Sequence, residues 1–308
     1  MKKKLVLSMV AGAALLTLAA CSSNNATSSS SSTKASSSAS LSGKIVAGGS
    51  TALQPLVTTV SQEFMTKNPN VSIDVQPGGS GAGLTGVANG TFQIGNSDIF
   101  AEEKTGIDAS KIKDNQVATV GVAPIVNQDV ADKVKSLTQQ QLIDIFSGKT
   151  TNWSAVGGPS EAITLIGRTT GSGTRVLFDN FGLNKGTELA SEVTQDATGA
   201  AAKAVSTTPG AISYIAFSGL EGVTNIKAMP ITFEGGSKAV DPTNDNVIDN
   251  SWKIWGYEHM YTSTTPDEAT TALIKAVKND TKDLKAQGYI EIAAMKGSRT
   301  VDGTWTAK

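Results

Sequence analysis

Three times along this chain a short apolar strand pattern runs into a turn of Gly, Ser and Thr and then into apolar residues at helical spacing. No other feature limits the fold as strongly. The first unit is residues 43–49, the turn Gly49-Ser50-Thr51, and then Leu53, Leu56, Val57, Val60 and Phe64. The second alternates Val71, Ile73 and Val75, turns through "PGGSGAGLTG" with Ser80 in the turn, and continues as a helix. In the third, a strand from Ile163 to Ile166 precedes "GRTTGSGTRVLF", which carries Ser172 and Thr174. A period of two giving way to a period of 3.6 is the pattern of strand followed by helix, and its recurrence predicts an α/β fold.

The rest of the chain is well punctuated. Thr138 with Gln141 predicts a capping box for the helix "QQQLIDIFS", which Gly148 closes, and Thr265-Pro266-Asp267-Glu268 opens a helix carrying Leu273, Ile274 and Val277. "TNWSAVGGPSEA" reads as a loop and "SKAVDPTNDNVIDN" as an irregular surface excursion; no tandem repeat is present. Residues 43–308 are long enough for two domains.

Gly81, Gly83 and Gly86 have the spacing G-x-G-x-x-G, which raises the question of a dinucleotide site. A Gly-rich turn between strand and helix serves any anion that needs backbone N–H groups and the positive end of a helix. Taken singly, each turn also reads as a tight connection with Gly at positive φ and Ser as an N-cap. A dinucleotide needs one such turn and an acidic residue about twenty positions on, whereas a small tetrahedral oxyanion can use several from different sides. Three turns, with Arg168 four residues before Ser172, favour the small anion.

The N-terminus bears on compartment. Lys2, Lys3 and Lys4 precede the apolar run "LVLSMVAGAALLTLAA", which is short for a membrane span and predicts an export signal over residues 1–20. Leu18-Ala19-Ala20-Cys21 resembles the lipobox of bacterial lipoproteins, which implies an acylated Cys21 as the mature N-terminus. Cys21 is the single cysteine, so its acylation leaves no disulfide and no thiolate metal site. Of the 21 residues from Ser22 to Ser42, 12 are serine; such a segment cannot repay the entropy of ordering. Residues 21–42 are therefore expected to be a disordered tether with a span of about 25 Å. Without the three lysines of residues 1–20 the formal charge moves from −1 to −4, which argues against a nucleic-acid or anionic-membrane surface. Any anion must be held by local dipoles rather than by net charge.

Enzyme readings fare poorly. Gly78-Gly79-Ser80-Gly81-Ala82 breaks the nucleophile-elbow pattern G-x-S-x-G at its last position. The only histidine, His259, sits among Trp255, Tyr257 and Tyr261 and reads as a packed or surface residue. Asp241, Asp245 and Asp249 lack the Gly and distal Glu of a calcium loop and read as a solvated loop. Trp153, Trp252, Trp255 and Trp305 are scattered, which suits packing better than a sugar platform. No catalytic residue, metal site or cofactor is expected.

The motifs "GGSTALQPL", "QPGGSGAG", "NSD", "LTQQQLIDIFSGKTTNWSAVGGP", "LIGRTTGSGTRVLF" and "PGAISYI" together resemble the phosphate-binding lipoproteins of bacterial phosphate ABC importers. The resemblance runs from about residue 44 to at least 217 and is looser from 235 to 308. It implies a type II periplasmic-binding-protein fold, with two α/β lobes joined by two crossovers and the ligand in the cleft. Lobe I would comprise 43–121 and 258–308 and lobe II 122–257, with crossovers near Gly121 to Pro124 and Gly256 to Tyr261. Carried over position by position, the implied phosphate contacts are Thr51, the backbone of Ala52, Ser80, Asp98, Arg168, Ser172, Gly173 and Thr174. Arg168 would supply the full positive charge, the hydroxyls and N–H groups the other donors, and Asp98 the acceptor. The resemblance further implies a monomer at the extracytoplasmic face of the cell membrane, as on a Gram-positive surface, anchored by lipid on Cys21. There it would deliver inorganic phosphate to membrane permease subunits served by a cytoplasmic ATPase. Two alternatives stay open: another tetrahedral oxyanion such as sulfate, or a surface-displayed adhesin or sensor that keeps the fold.

Overall fold

The computed structural model describes residues 40–191 and 193–308. The predicted signal peptide, Cys21 and the tether up to residue 39 lie outside the described residues. Among the described residues no helix is long and apolar enough to cross a membrane.

All three predicted units form. Strand β1 (Gly43–Gly49) leads into α1 (Gln54–Lys67), and β2 (Val71–Pro77) into α2 (Ser80–Ala88), followed by β3 (Ile94–Ser97). Pro55 occupies the first turn of α1, where a missing N–H costs no bond, and Leu56, Val57, Val60 and Phe64 face the core. Ser80 is the first residue of α2 rather than part of the turn, because Gly79 at φ +78° makes the turn before it. After β4 (Ile112–Lys113) comes the twelve-residue β5 (Gln116–Asn127), then α3 (Gln128–Ala131), β6 (Leu137–Thr138) and α4 (Gln139–Phe146). The predicted capping box closes α4: Thr138 Oγ1 accepts the Gln141 N–H at 3.1 Å, and Gln141 Oε1 accepts the Thr138 N–H at 2.8 Å.

The third unit is β7 (Thr164–Arg168) and α5 (Gly173–Leu177). Its strand runs two residues past Ile166, so Arg168 is the last strand residue. Helix α5 is short because the chain widens into a π-helical turn over Phe178–Gly182. There follow β8 (Val193–Gln195), α6 (Thr198–Thr207), β9 (Ala211–Ala216), β10 (Ile226–Ala228) and β11 (Ile231–Thr232). The chain ends with α7 (Asn244–Ile248), β12 (Trp255–Ser263), α8 (Glu268–Asn279), α9 (Thr281–Ala286), β13 (Gly297–Arg299) and β14 (Trp305–Ala307). Two segments read as irregular contain short helices. Residues 153–156 form a 3-10 turn capped by Asn152, and the Thr243 side chain caps α7.

The main sheet has the order β2-β1-β3-β12-β5-β9-β7-β8, with β4 and β10 as side pairs. Pairing is parallel within β2-β1-β3 and within β9-β7-β8, and antiparallel through β3-β12-β5-β9 at the centre. Two parallel α/β lobes are thus joined by long antiparallel strands. Strand β5 pairs with β12 up to Gly121 and with β9 from Val122, so one strand takes part in both halves of the sheet. The Val122 N–H donates to the Ile254 carbonyl at 2.8 Å where the strands part. Trp153, Trp252 and Trp255 are fully buried, in keeping with a packing role. His259 is also fully buried, with Nδ1 2.8 Å from Asp114 Oδ1 and its ring stacked on Tyr261.

Candidate functional site

In open α/β sheets, helix N-termini gather at the carboxyl ends of parallel strands, and ligands bind there. All three turns lie at such ends. The first two are pressed onto β3 so closely that only glycine fits. A Cβ on Gly49 would stand 2.7 Å from Gly83 Cα, and one on Gly83 would stand 2.3 Å from the Asn96 carbonyl oxygen. Gly49 also has φ +131°, a conformation other residues rarely adopt.

This packing brings Ser50, Ser80 and Asp98 together. Ser50 Oγ donates to Asp98 Oδ1 while accepting the N–H groups of Ala52 at 3.1 Å and Leu53 at 3.0 Å. Ser80 Oγ accepts the Asp98 N–H at 2.9 Å, which leaves the Ser80 hydroxyl proton for another partner. Asp98 is 3 % exposed, and its second oxygen accepts the Thr174 hydroxyl at 2.8 Å.

The facing wall is built around Arg168, 1 % exposed at the end of β7. Its Nε donates to the Gln195 carbonyl at 3.1 Å and its Nη2 to the Asp196 carbonyl at 3.4 Å. Nη1 is buried and has no partner among the described residues. Burial lowers the pKa of this guanidinium, and the charges of Asp98, Glu188 and Asp196 and the nearby Tyr214 work in the opposite direction. An arginine keeps its proton against such a shift.

Main-chain contacts fix the position of Arg168. Its N–H donates to Glu188 Oε1 at 3.2 Å, and its carbonyl accepts from Arg175 Nη1 at 2.8 Å. Arg175 Nη1 in turn stands 3.0 Å from Glu188 Oε1. Tyr214, stacked on Phe178 with ring centroids 4.0 Å apart, donates to Glu188 Oε2 at 2.7 Å. Ser172 Oγ caps α5 by accepting the Arg175 N–H at 3.2 Å. The N–H groups of Gly173 and Thr174 then belong to the open first turn of that helix.

The two walls touch. Besides the bond from Thr174 to Asp98, the Gly81 N–H donates to the Gly171 carbonyl at 3.0 Å and the Thr198 N–H to Thr51 Oγ1 at 3.1 Å. Ser218 Oγ donates to the Ala52 carbonyl at 2.8 Å. All eight residues named from the sequence therefore converge on one place. Two of them engage differently from expectation: the Ala52 N–H is directed to Ser50 Oγ, and the Thr174 hydroxyl proton to Asp98. Ser50, Arg175, Glu188, Tyr214 and Thr198 are not among the contacts the motifs implied. Ser50 and Arg175 stand inside the quoted motifs. Tyr214 stands in another of them, "PGAISYI", whereas Glu188 and Thr198 reach the site only through tertiary packing.

What the arrangement can do chemically is narrow. It offers one guanidinium nitrogen, several hydroxyl protons and two first-turn N–H groups, opposed by one carboxylate. That set suits an oxyanion that still carries a proton.

Residues 34–300 match the family model described as a PBP superfamily domain. The chain is 41% identical over 267 residues to the phosphate-binding protein PstS of Bacillus subtilis (strain 168), covering 85% of each. A phosphate-bound crystal structure from Clostridium perfringens, described as a phosphate ABC transporter substrate-binding protein, superposes with a TM-score of 0.71 at 26% identity. The match covers 81% of this chain and all of that one. An ABC-type phosphate transport receptor from Vibrio cholerae shares the fold with a TM-score of 0.61 at 23% identity, over 80% of this chain and 99% of that one. On sequence and fold together, the chain belongs to the PBP superfamily and, within it, to the family of the phosphate-binding protein PstS.

Proposed function

We propose that this protein binds inorganic phosphate outside the cytoplasm and delivers it to the permease subunits of an ABC importer, without catalysing a reaction. The observation that carries this reading is the buried Arg168, whose Nη1 has no protein partner among the described residues, set opposite Asp98 within a ring of hydroxyls. The family relationship to phosphate-binding PstS supports it. Arg168 contributes charge and directed donors. Thr51, Ser80 and Ser172 contribute hydroxyls, Gly173 and Thr174 backbone N–H groups, and Asp98 accepts the proton that phosphate retains near neutral pH. Lobe I spans 43–121 and 258–308 and lobe II spans 122–257. The anion lies between them, and the protein acts as a monomer.

The anchor belongs to the same proposal. Acylated Cys21 holds the protein at the membrane, and the Ser-rich segment keeps the folded body within reach of the permease. Cys21→Ser releases the protein or leaves its signal uncleaved, with ligand binding unchanged; a variant still processed and lipidated would refute the anchor. For the ligand, the deciding experiment is titration calorimetry of the body from Gly43 onward with phosphate and with sulfate. Saturable heat with phosphate and none with sulfate is expected. Preference for sulfate would reassign the ligand, and no anion binding at all would favour an adhesin or sensor role.

A further inference from the structure

Behind Asp98 lies a second carboxyl group that the site does not use directly. Glu258 is in β12 and is fully buried. Strand β12 pairs antiparallel with β3 in the register His259 to Ser97, Met260 to Asn96 and Tyr261 to Gly95. Continued by one residue, that register sets Glu258 opposite Asp98, at the spacing of a cross-strand pair with both side chains on one face. A β-bulge between Glu258 and His259 adjusts the pairing with β5 at this same point. The close fit extends to Gly256, where a Cβ would meet the Asp98 carbonyl oxygen at 3.0 Å.

No N–H or O–H donor among the described residues reaches either oxygen of Glu258, which leaves the Asp98 carboxyl as its polar neighbour. The groups facing it are Asp98 and the Tyr289 phenol, with Arg168 near Asp98. The Tyr289 hydroxyl proton is committed to the Ala52 carbonyl, and the adjacent His259 pairs with Asp114. Glu258 thus has no donor, and Asp98, when ionised, can only accept. Two ionised carboxylates side by side repel, and an unpaired one in a dry interior is costly, so one proton must remain on the pair.

The surroundings decide which carboxyl keeps that proton. Asp98 already accepts the hydroxyls of Ser50 and Thr174, one on each of its oxygens. Burial, followed by the charge of Asp98 and a hydrogen bond to it, pushes the Glu258 carboxyl well above the usual range. Environments that separate two carboxyls in this way assign one as proton holder and the other as acceptor.

We propose that Glu258 is a specificity-determining positioning residue, which holds a proton, donates it to Asp98, and so keeps Asp98 an oriented, ionised acceptor for the ligand. A carboxylate has about four lone-pair sites. Ser50, Thr174 and Glu258 fill three, and one is left for an O–H of the anion. The site then sets one negative charge against its ligand rather than two. The inference rests on the phosphate-site reading given above.

The test uses the full-length chain, with Glu258→Gln and Glu258→Leu measured against wild type by phosphate and sulfate titration across a pH series. Glutamine keeps a neutral donor, so both the phosphate affinity and the phosphate-to-sulfate ratio should stay within about threefold of wild type. Leucine removes the donor and makes Asp98 easier to protonate. Its phosphate-to-sulfate ratio should fall about tenfold and become steeply dependent on pH, with sulfate binding gaining as pH falls. Infrared spectra should show a protonated-carboxyl band in wild type that is missing from Glu258→Gln. The proposal is overturned if Glu258→Gln tightens both anions about tenfold or more, because Glu258 would then have been charged. It is also overturned if the leucine variant keeps the wild-type ratio and pH profile, or if the band is absent from wild type. The band and the glutamine variant decide the matter should the leucine variant not fold. Wild type that binds no phosphate would remove the site reading, whereas a missing band with intact phosphate binding sinks this proposal alone.

Discussion

The hydroxyl of Thr174 donates to Asp98 Oδ2 at 2.8 Å, joining the first turn of α5 to the end of β3 across the cleft. This contact ties the Asp98 carboxylate to the opposite wall and fixes its orientation. An oxyanion without a proton would set a bare oxygen against that carboxylate, an uncompensated contact that costs several kcal/mol, on the order of a thousandfold in affinity. Asp98→Asn removes the repulsion and offers an amide donor. The phosphate-to-sulfate affinity ratio should therefore fall steeply in paired titrations at fixed pH and ionic strength, whatever the absolute affinities do. An unchanged ratio would show that Asp98 is not the discriminating group.

Arg168→Lys keeps a positive charge but loses the planar fork. In the arginine, Nε and Nη2 are spent on the Gln195 and Asp196 carbonyls, which orients Nη1 without a flexible stem. A lysine ammonium cannot hold both carbonyls and reach the ligand in the same geometry. Loss of one charge-assisted bond is worth about 1.5–3 kcal/mol, so phosphate affinity should drop roughly ten- to a hundredfold. Calorimetry that finds equal affinity would mean that Arg168 is not a direct ligand.

The sequence exposes the walls of this site better than its supports. The β1–α1, β2–α2 and β7–α5 units are local: a strand period, a Gly-Ser turn and a helix period written within about twenty-five residues each. The capping box of Thr138 and Gln141 is local for the same reason. Glu188 holds the Arg168 backbone from 20 residues away, and Tyr214 reaches Glu188 from 26 residues further on. No periodicity links such positions. Glu258 is hidden differently, since "WGYEHMYTS" has the alternating look of any strand. Its neighbour Asp98 is set by register across 160 residues of sequence, and register is a tertiary property.

Asp179 provides a test of the buried charges behind Arg168. Burial, opposed chiefly by Arg175, raises its carboxyl from 3.8 to about 6. A group whose native pKa lies above its unfolded value stabilises the fold while protonated, and that contribution is lost as pH rises through the native value. Stability should therefore decline between about pH 4 and pH 6 and level off above, as far as this group is concerned. Its ion pair with Arg175, at 3.5 Å with both side chains partly exposed, is screened by solvent. The same contact with water weakens the burial penalty on Asp179 and holds the net effect to about 1 kcal/mol. Asp179→Asn should flatten this part of the urea-midpoint profile against pH, while the Arg175 to Glu188 pair continues to hold Arg168. An identical slope in both proteins would rule out Asp179 as the source.

Closure itself can be blocked at one atom. Gly173 lies against Ser80 and Asp98, and a Cβ there would stand 2.2 Å from Ser80 Oγ, 2.8 Å from Ser80 Cβ and 3.0 Å from Asp98 Cβ. Ser80 cannot swing aside without cost, because its hydroxyl accepts the Asp98 N–H and its backbone begins α2. Alanine is otherwise at ease in a helix, so Gly173→Ala should leave each lobe folded and act on the contact between them. Overpacking of this kind costs about 1–3 kcal/mol, which the protein can avoid only by holding the lobes apart. Phosphate affinity should fall roughly ten- to a hundredfold, and small-angle scattering should show a larger radius than wild type with phosphate present. Adding Ser80→Gly, which removes the two nearer of the three close atoms, should recover the compact form while still lacking the Ser80 hydroxyl. Wild-type affinity and compaction in Gly173→Ala would mean that the lobes do not close with Gly173 against Ser80.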